Sequence, residues 1–160
     1  VVIDIFTIDF PQNITQVHFI KLRLFDTKGK EVANTFYWRS NDKYEGRKTL
    51  TGPTSSGFED LSKLKQVQLK TRYQTYQEGD RHFIKAEIKN PSSTVAFFTQ
   101  LQLLGQDKKP VRPSFYTDNF FSLLPGESKT VIIETAASDM PSEPTFVVKG
   151  WNIKPSSFKL

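Results

Sequence analysis

At 160 residues, with 37% hydrophobic and 24% charged side chains, the chain has enough apolar material for a sizeable core, which excludes a disordered polyelectrolyte. The absence of cysteine excludes disulfide frameworks, thiolate metal sites and cysteine nucleophiles. The net charge of +5 is scattered over lysines such as Lys28, Lys43, Lys63, Lys70 and Lys108 rather than gathered on one face or tail, which argues against nucleic acid as a partner.

No apolar run approaches the ~20 residues that a membrane-spanning helix needs, so no membrane partner is expected. The opening residues VVIDIF alternate like a strand and lack an initiator methionine, as expected of a piece cut from a longer polypeptide whose targeting signal would lie upstream. A strand is expected over residues 1–8, broken by Pro11. Residues 16–25 form a second, with Ile20, Leu22 and Leu24 on one face and Lys21 and Arg23 on the other. Asp26-Thr27-Lys28-Gly29 is a turn signal, and Glu31 to Trp38 returns as the partner strand of a hairpin.

From residue 40 to residue 62 the composition becomes polar and rich in Gly and Pro, so this stretch reads as a connector, with Phe58 to Leu61 docking as one helical turn. A second set of strands follows. Residues 65–75 place Val67, Leu69 and Tyr73 on one face, and residues 82–89 turn Ile84, Ala86 and Ile88 inward. Pro91 stops that strand. Residues 94–104 put Val95, Phe97, Leu101 and Leu103 on one side, residues 112–124 hold short pieces, and residues 128–135 and 145–152 supply the last two strands. Strands recurring every 8–12 residues, with almost no helical period, point to an all-β antiparallel sandwich, with a barrel as the alternative. A structureless connector that long divides a chain. The expected organisation is therefore an incomplete unit over 1–45, a connector over 46–62, a complete sandwich over 63–154 and a tail over 155–160.

Residues 17–38, VHFIKLRLFDTKGKEVANTFYW, then Gly57 to Leu64, GFEDLSKL, then Asn90, Ala96-Phe97-Phe98, Tyr116 to Phe120, Leu124 to Glu127 and Gly150 to Asn152 form an ordered set of pieces. Together they resemble the C-terminal region of glycoside hydrolase family 2 enzymes of the exo-β-D-glucosaminidase and β-mannosidase type, the first resembling the end of the penultimate domain, the second the lead-in to the last one and the rest the last domain itself. The resemblance implies an immunoglobulin-like antiparallel β-sandwich preceded by strands from the end of an upstream β-sandwich domain. It also implies a bacterial, periplasmic or secreted parent enzyme that cleaves terminal β-linked sugars by a retaining mechanism. Both carboxylates of that mechanism would sit on a catalytic barrel outside this chain, so no catalytic residue, metal or cofactor is assigned. The partners implied are the upstream domains of the same polypeptide and an oligosaccharide at the pocket rim. An unpaired edge within residues 1–38 could in addition make a dimer.

Two groups of side chains stand out as candidate sugar-rim or inter-domain contacts. Tyr116, Asp118 and Asn119 combine an aromatic face, a carboxylate and an amide, the toolkit for sugar hydroxyls, although Asp and Asn in a tight loop are preferred as caps of backbone groups. Trp151 and Trp38 could stack on a sugar ring, but each sits in a strand-like segment, where core or inter-domain packing is expected instead. Gly150 is expected to permit a close backbone approach or a bulge. An autonomous carbohydrate-binding or adhesion sandwich is the competing reading. A flat row of exposed aromatics would favour it, whereas the sequence suggests aromatics alternating with inward positions.

Overall fold

The computed structural model describes residues 6–41 and 57–160, in two compact units divided between Lys63 and Leu64. Of the strand expected over residues 1–8, the first five residues lie outside the described range and residues 6–8 carry no strand pairing. Much of the expected connector also lies outside that range.

In the first unit, β1 (Val17–Phe25) and β2 (Glu31–Ser40) form an antiparallel hairpin, with Val17 opposite Ser40 and Leu24 opposite Ala33. The turn forms for the reason its residues suggest. The Asp26 carboxylate accepts from the backbone N–H of Lys28 and of Lys30, both at 2.9 Å, and Gly29 takes a φ of 75° that a side chain would disfavour. A short 3-10 turn, Glu59–Lys63, stands where the helical turn was expected.

The second unit runs β3 (Lys70–Glu78), β4 (Arg81–Lys89), β5 (Ala96–Leu104), β6 (Phe115–Tyr116), β7 (Phe121–Leu123), β8 (Ser128–Ala136), β9 (Thr145–Gly150) and β10 (Ile153–Lys159). These make two four-stranded antiparallel sheets, ordered β3-β4-β8-β6 and β10-β9-β5-β7. Between them lies one core. The first sheet contributes Ile84, Ala86, Ile88, Val131 and Ile133, and the second contributes Leu101, Leu103, Leu123, Phe146 and Val148. Alternation along each strand sends every second side chain inward, so two half-apolar faces close on one another as the expected immunoglobulin-like sandwich. Each large core side chain contributes about 1.5–3 kcal/mol. Phe146 is the centre of a ring cluster, stacked on Phe158 at 4.8 Å and edge-on to Tyr73 at 5.1 Å.

Two local expectations need correction. Residues 155–160 are no tail, since most of them belong to β10, where Ser156 pairs with Val148 and Phe158 with Phe146. Pro155 and two serines read as loop chemistry, but β10 is an edge strand with a register shift between Ile153 and Ser156, the setting in which a sheet accepts proline. In β5, strict alternation fails. The register shifts between Ala96 and Thr99, and Phe98 takes a φ of 58°. Ala96 therefore joins the core, while Phe97 is buried outside it and Val95 is only half-buried. A bulge inserts one residue and turns everything before it to the other face.

Gly150 does permit a close approach. A Cβ there would lie 2.5 Å from Ile153 Cδ1, 2.9 Å from the Phe98 carbonyl oxygen and 3.1 Å from that of Phe97. The isoleucine tip can move, but the two backbone oxygens cannot move without shifting the bulge. Gly150→Ala should therefore cost about 1–3 kcal/mol, read as a lower melting temperature; an unchanged melt would contradict this packing. Thr99 makes the opposite case, being fully buried with a hydroxyl that has no hydrogen-bond partner among the described residues. Thr99→Val removes an unsatisfied polar group and should stabilise by about 1 kcal/mol; destabilisation in urea would show that the hydroxyl is paired.

Candidate functional site

The flank of β5 is where the sequence-predicted cluster lies. β7 is only three residues long and faces β5 at just two positions, Leu123 opposite Ala96 and Phe121 opposite Thr99. Beyond Thr99 that flank of β5 has no strand of the sheet beside it among the described residues, only a single bridge of Leu104 to Pro110, because β6 pairs with β8 in the other sheet, Phe115 opposite Glu134 and Tyr116 opposite Ile133. Residues 117–120 carry the chain from one sheet to the other. Buried backbone groups left bare by such a switch would each cost about 1–3 kcal/mol.

Side chains of the crossing segment fill the vacancy. The Asn119 amide accepts from Leu101 N–H at 2.8 Å and donates to the Leu101 carbonyl at 3.0 Å, the two-bond pattern of a ladder neighbour. The Tyr116 hydroxyl accepts from Leu103 N–H at 2.9 Å, and Val111 N–H donates to the Leu103 carbonyl at 3.0 Å. Thr117 ties the crossing to β8, its N–H donating to Ile132 O and its hydroxyl accepting from Ile132 N–H, both at 3.0 Å. Phe120 completes the reversal at a φ of 58°, and its N–H donates to the Asn119 side-chain oxygen at 3.1 Å.

Asp118 has two engagements. One carboxylate oxygen accepts from Asn119 N–H at 2.7 Å, and the other pairs with the Lys129 ammonium, which also lies 5.2 Å from the centre of the Phe121 ring. Burial pushes the Tyr116 phenol above its ordinary value, with the Leu103 N–H and the Ser114 hydroxyl opposing, so Tyr116 keeps its proton at neutral pH. The carboxylate, amide and phenol of this loop thus all have partners on the protein itself.

Two further asparagines do the same work elsewhere. Asn152 accepts from Phe97 N–H at 2.8 Å and donates to the carbonyls of Lys65 at 2.9 Å and Val95 at 2.8 Å. Asn90, fully buried, donates to Thr94 O at 2.8 Å and Leu123 O at 3.0 Å and accepts from the Ser92 hydroxyl at 2.8 Å. The partners of Asn152, and Leu123 for Asn90, lie far along the chain, where no local spacing reveals them, while Ser92 and Thr94 are local to Asn90.

The tryptophans do not join this cluster as core groups. Trp151 lies in the turn between β9 and β10 and is 59% exposed, its N–H donating to Phe97 O at 3.1 Å, so the expectation of a strand residue packed in the core is corrected. The strand expected over 145–152 ends at Gly150, so the tight β9–β10 connection starts two residues earlier than expected. Trp38 sits in β2 opposite Phe19, in the other unit, and is also exposed. Tyr76, Phe83, Glu134 and Phe115 are register neighbours across β3, β4, β8 and β6, on the face opposite the core, but the Tyr76 and Phe83 rings stack on each other and Arg81 lies over Phe115, so they offer no row of free ring faces. Alternation along one strand does not show which outward residues of different strands align.

The geometry separates two residues adjacent in sequence. Asn119→Ala should cost about 1–3 kcal/mol because it bares a buried N–H and carbonyl. Asp118→Asn should cost under about 1 kcal/mol, since the ion pair it weakens is partly exposed. Chemical denaturation of the two variants checks this order, and the reverse order would make Asp118 the structural member.

Comparison with known proteins agrees with this architecture. Residues 49–153 match the family model described as the exo-β-D-glucosaminidase Ig-fold domain. An exo-β-D-glucosaminidase of Streptomyces avermitilis is 30% identical over 149 residues, covering 87% of this chain and 16% of the relative. One from Amycolatopsis orientalis is 27% identical over 157 residues, covering 91% and 15%. The chain thus spans about a sixth of the length of these relatives. The crystal structure of Amycolatopsis orientalis exo-chitosanase CsxA shares the fold with a TM-score of 0.80 at 23% identity, over 93% of this chain and 19% of that one. With most of the sandwich inside the match, this chain belongs to the family of immunoglobulin-fold domains of exo-β-D-glucosaminidases.

Proposed function

We propose that this chain is a non-catalytic, C-terminal accessory module of a family 2 glycoside hydrolase of the β-glucosaminidase or β-mannosidase type. Its role is to pack on upstream domains of the same polypeptide, among them a catalytic barrel that carries the two carboxylates of a retaining mechanism, and to help shape the substrate entrance. The observation that carries this reading is that the best polar cluster, Tyr116, Asp118 and Asn119, is fully engaged in holding a sheet switch together. A catalytic carboxylate needs a free face toward the sugar and a second carboxylate about 5–5.5 Å away, whereas Asp118 has a lysine on one oxygen and a backbone N–H on the other. The sixth of the relatives' length that the chain covers supports the same conclusion. The β1–β2 hairpin also fits a strand pair from a neighbouring sandwich, because two strands alone are marginal in water and Leu24, Phe25 and Val32 are exposed on it.

Hydrolysis of nitrophenyl β-glucosaminide and β-mannoside by this chain and by the full product of its gene tests the proposal. Turnover by the longer polypeptide alone is expected. Turnover by the 160-residue chain would overturn the non-catalytic reading, and no turnover of either sugar by the longer polypeptide would reject its glycosidase parentage.

A further inference from the structure

The two sheets of the sandwich end in four edge strands, and three of the four are blunted. β6 is two residues long and β7 three. β10 carries Pro155 and a register shift between Ile153 and Ser156. Short length, proline and irregular register are the features that keep an edge from pairing with another chain. β3 has none of them. It runs nine residues and pairs with β4 in unbroken register, from Lys70 opposite Lys89 to Glu78 opposite Arg81. All of its residues except Thr71 are exposed.

The turn after β3 sets which of its backbone groups are free. Gly79 and Asp80 are the two loop residues between Glu78 and Arg81, and Gly79 takes a φ of 58°. In a two-residue hairpin the closing pair shares hydrogen bonds, so Lys70, Arg72, Gln74, Tyr76 and Glu78 bond to β4. On the far side of β4, Ala137 N–H donates to Asp80 O at 2.7 Å, the phase that this pattern requires. The N–H and carbonyl groups of Thr71, Tyr73, Thr75 and Gln77 therefore point away from the sheet, and they have no backbone partner among the described residues. The side chains alternate in the same way. Thr71, Tyr73 and Thr75 stand opposite the core residues Ile88, Ala86 and Ile84, which leaves Lys70, Arg72, Gln74, Tyr76 and Glu78 on the solvent face. That order is self-complementary. With two β3 strands antiparallel about a twofold axis at Gln74, Lys70 lies opposite the partner's Glu78 and Arg72 opposite the partner's Tyr76. In the same register the outward groups of Thr71 meet those of the partner's Gln77, and those of Tyr73 meet the partner's Thr75. Within one chain Lys70 faces Lys89, a like charge, and like charges directly opposite are destabilising. The partner's Glu78 supplies the missing counter-charge.

We propose that β3 is a docking edge for a second copy of this chain, the two β3 strands pairing antiparallel so that two four-stranded sheets join into one of eight. The inference needs no glycosidase parentage, so its failure leaves the accessory-module reading standing. One strand pair buries less than the roughly 1,200 Å² of a standard interface, and the dimer is correspondingly weak, with a Kd between about 10 μM and about 1 mM. The test is sedimentation equilibrium of the 160-residue chain across that range, which should show monomer passing to dimer. Thr75→Pro removes an outward N–H at an edge, where a sheet accepts proline, and should keep the chain folded and monomeric. Lys70→Glu and Glu78→Lys each set like charges across the twofold axis and should each weaken self-association at least roughly fivefold. An equimolar mixture of these two variants brings opposite charges together at both ends and should recover the dimer. A wild-type chain still monomeric at about 1 mM would overturn the proposal. So would a mixture that associates no better than its separate variants. Dimerisation that Thr75→Pro leaves intact and Phe25→Ala abolishes would also overturn it, since the contact would then lie on the β1–β2 hairpin.

Discussion

The second unit depends on how the backbone of β5 is satisfied after its strand neighbour leaves. A sandwich of this type must let the chain pass from one sheet to the other, and at each crossing a ladder ends inside the protein. The chain crosses between the sheets several times, and at the crossing between β6 and β7 the positions on β5 without a β7 partner are Leu101 and Leu103. Both are fully buried, so water is excluded from their N–H and carbonyl groups. Asn119 and Tyr116 replace the missing strand with side-chain atoms at hydrogen-bond distance. An asparagine suits this work because one planar amide offers an acceptor and a donor side by side, as a peptide group does.

The same device recurs with Asn152 at the bulged end of β5 and with Asn90 where the turn after β4 meets β7. These contacts fix where the strands stop, and the bulge at Phe98 and the left-handed turn at Phe120 are held between them, their two rings 5.5 Å apart. Non-glycine residues in that region of backbone space cost about 1–3 kcal/mol each and persist only where the surroundings enforce them. The polar contacts and the apolar core therefore support one another. Leu101 and Leu103 bury their side chains in the core while Asn119 and Tyr116 keep their backbones satisfied.

Much of this was legible in the sequence, and what was not has a physical reason. The hairpin could be read because Asp26 and Gly29 form its turn within four residues. The inward faces of β4 and β8 follow from strict alternation of Ile84, Ala86 and Ile88 and of Val131 and Ile133. That Asp118 and Asn119 cap backbone groups could be favoured from residue type alone, but the partners of Asn119 and the part played by Tyr116 could not, since Asn119 bonds a residue 18 positions away. Trp151 was misplaced because an apolar run conceals where a strand ends and a two-residue turn begins. The aromatic row escaped notice because it exists only in the register between strands: Tyr76 and Phe115 are distant in sequence and aligned only through Phe83 and Glu134.

The polar cluster of the crossing segment works chiefly for the fold. That conclusion rests on the claim that side chains take the place of a strand along β5, which amide hydrogen exchange resolved by residue tests most directly. The N–H groups of Leu101 and Leu103 should exchange as slowly as those of Ile84 and Ile133 at the centre of the opposite sheet, opening only with global unfolding. Exchange of Leu101 and Leu103 at the rate of the loop over residues 105–109 would mean that water, not Asn119 and Tyr116, satisfies that edge, and the account of the site would fail.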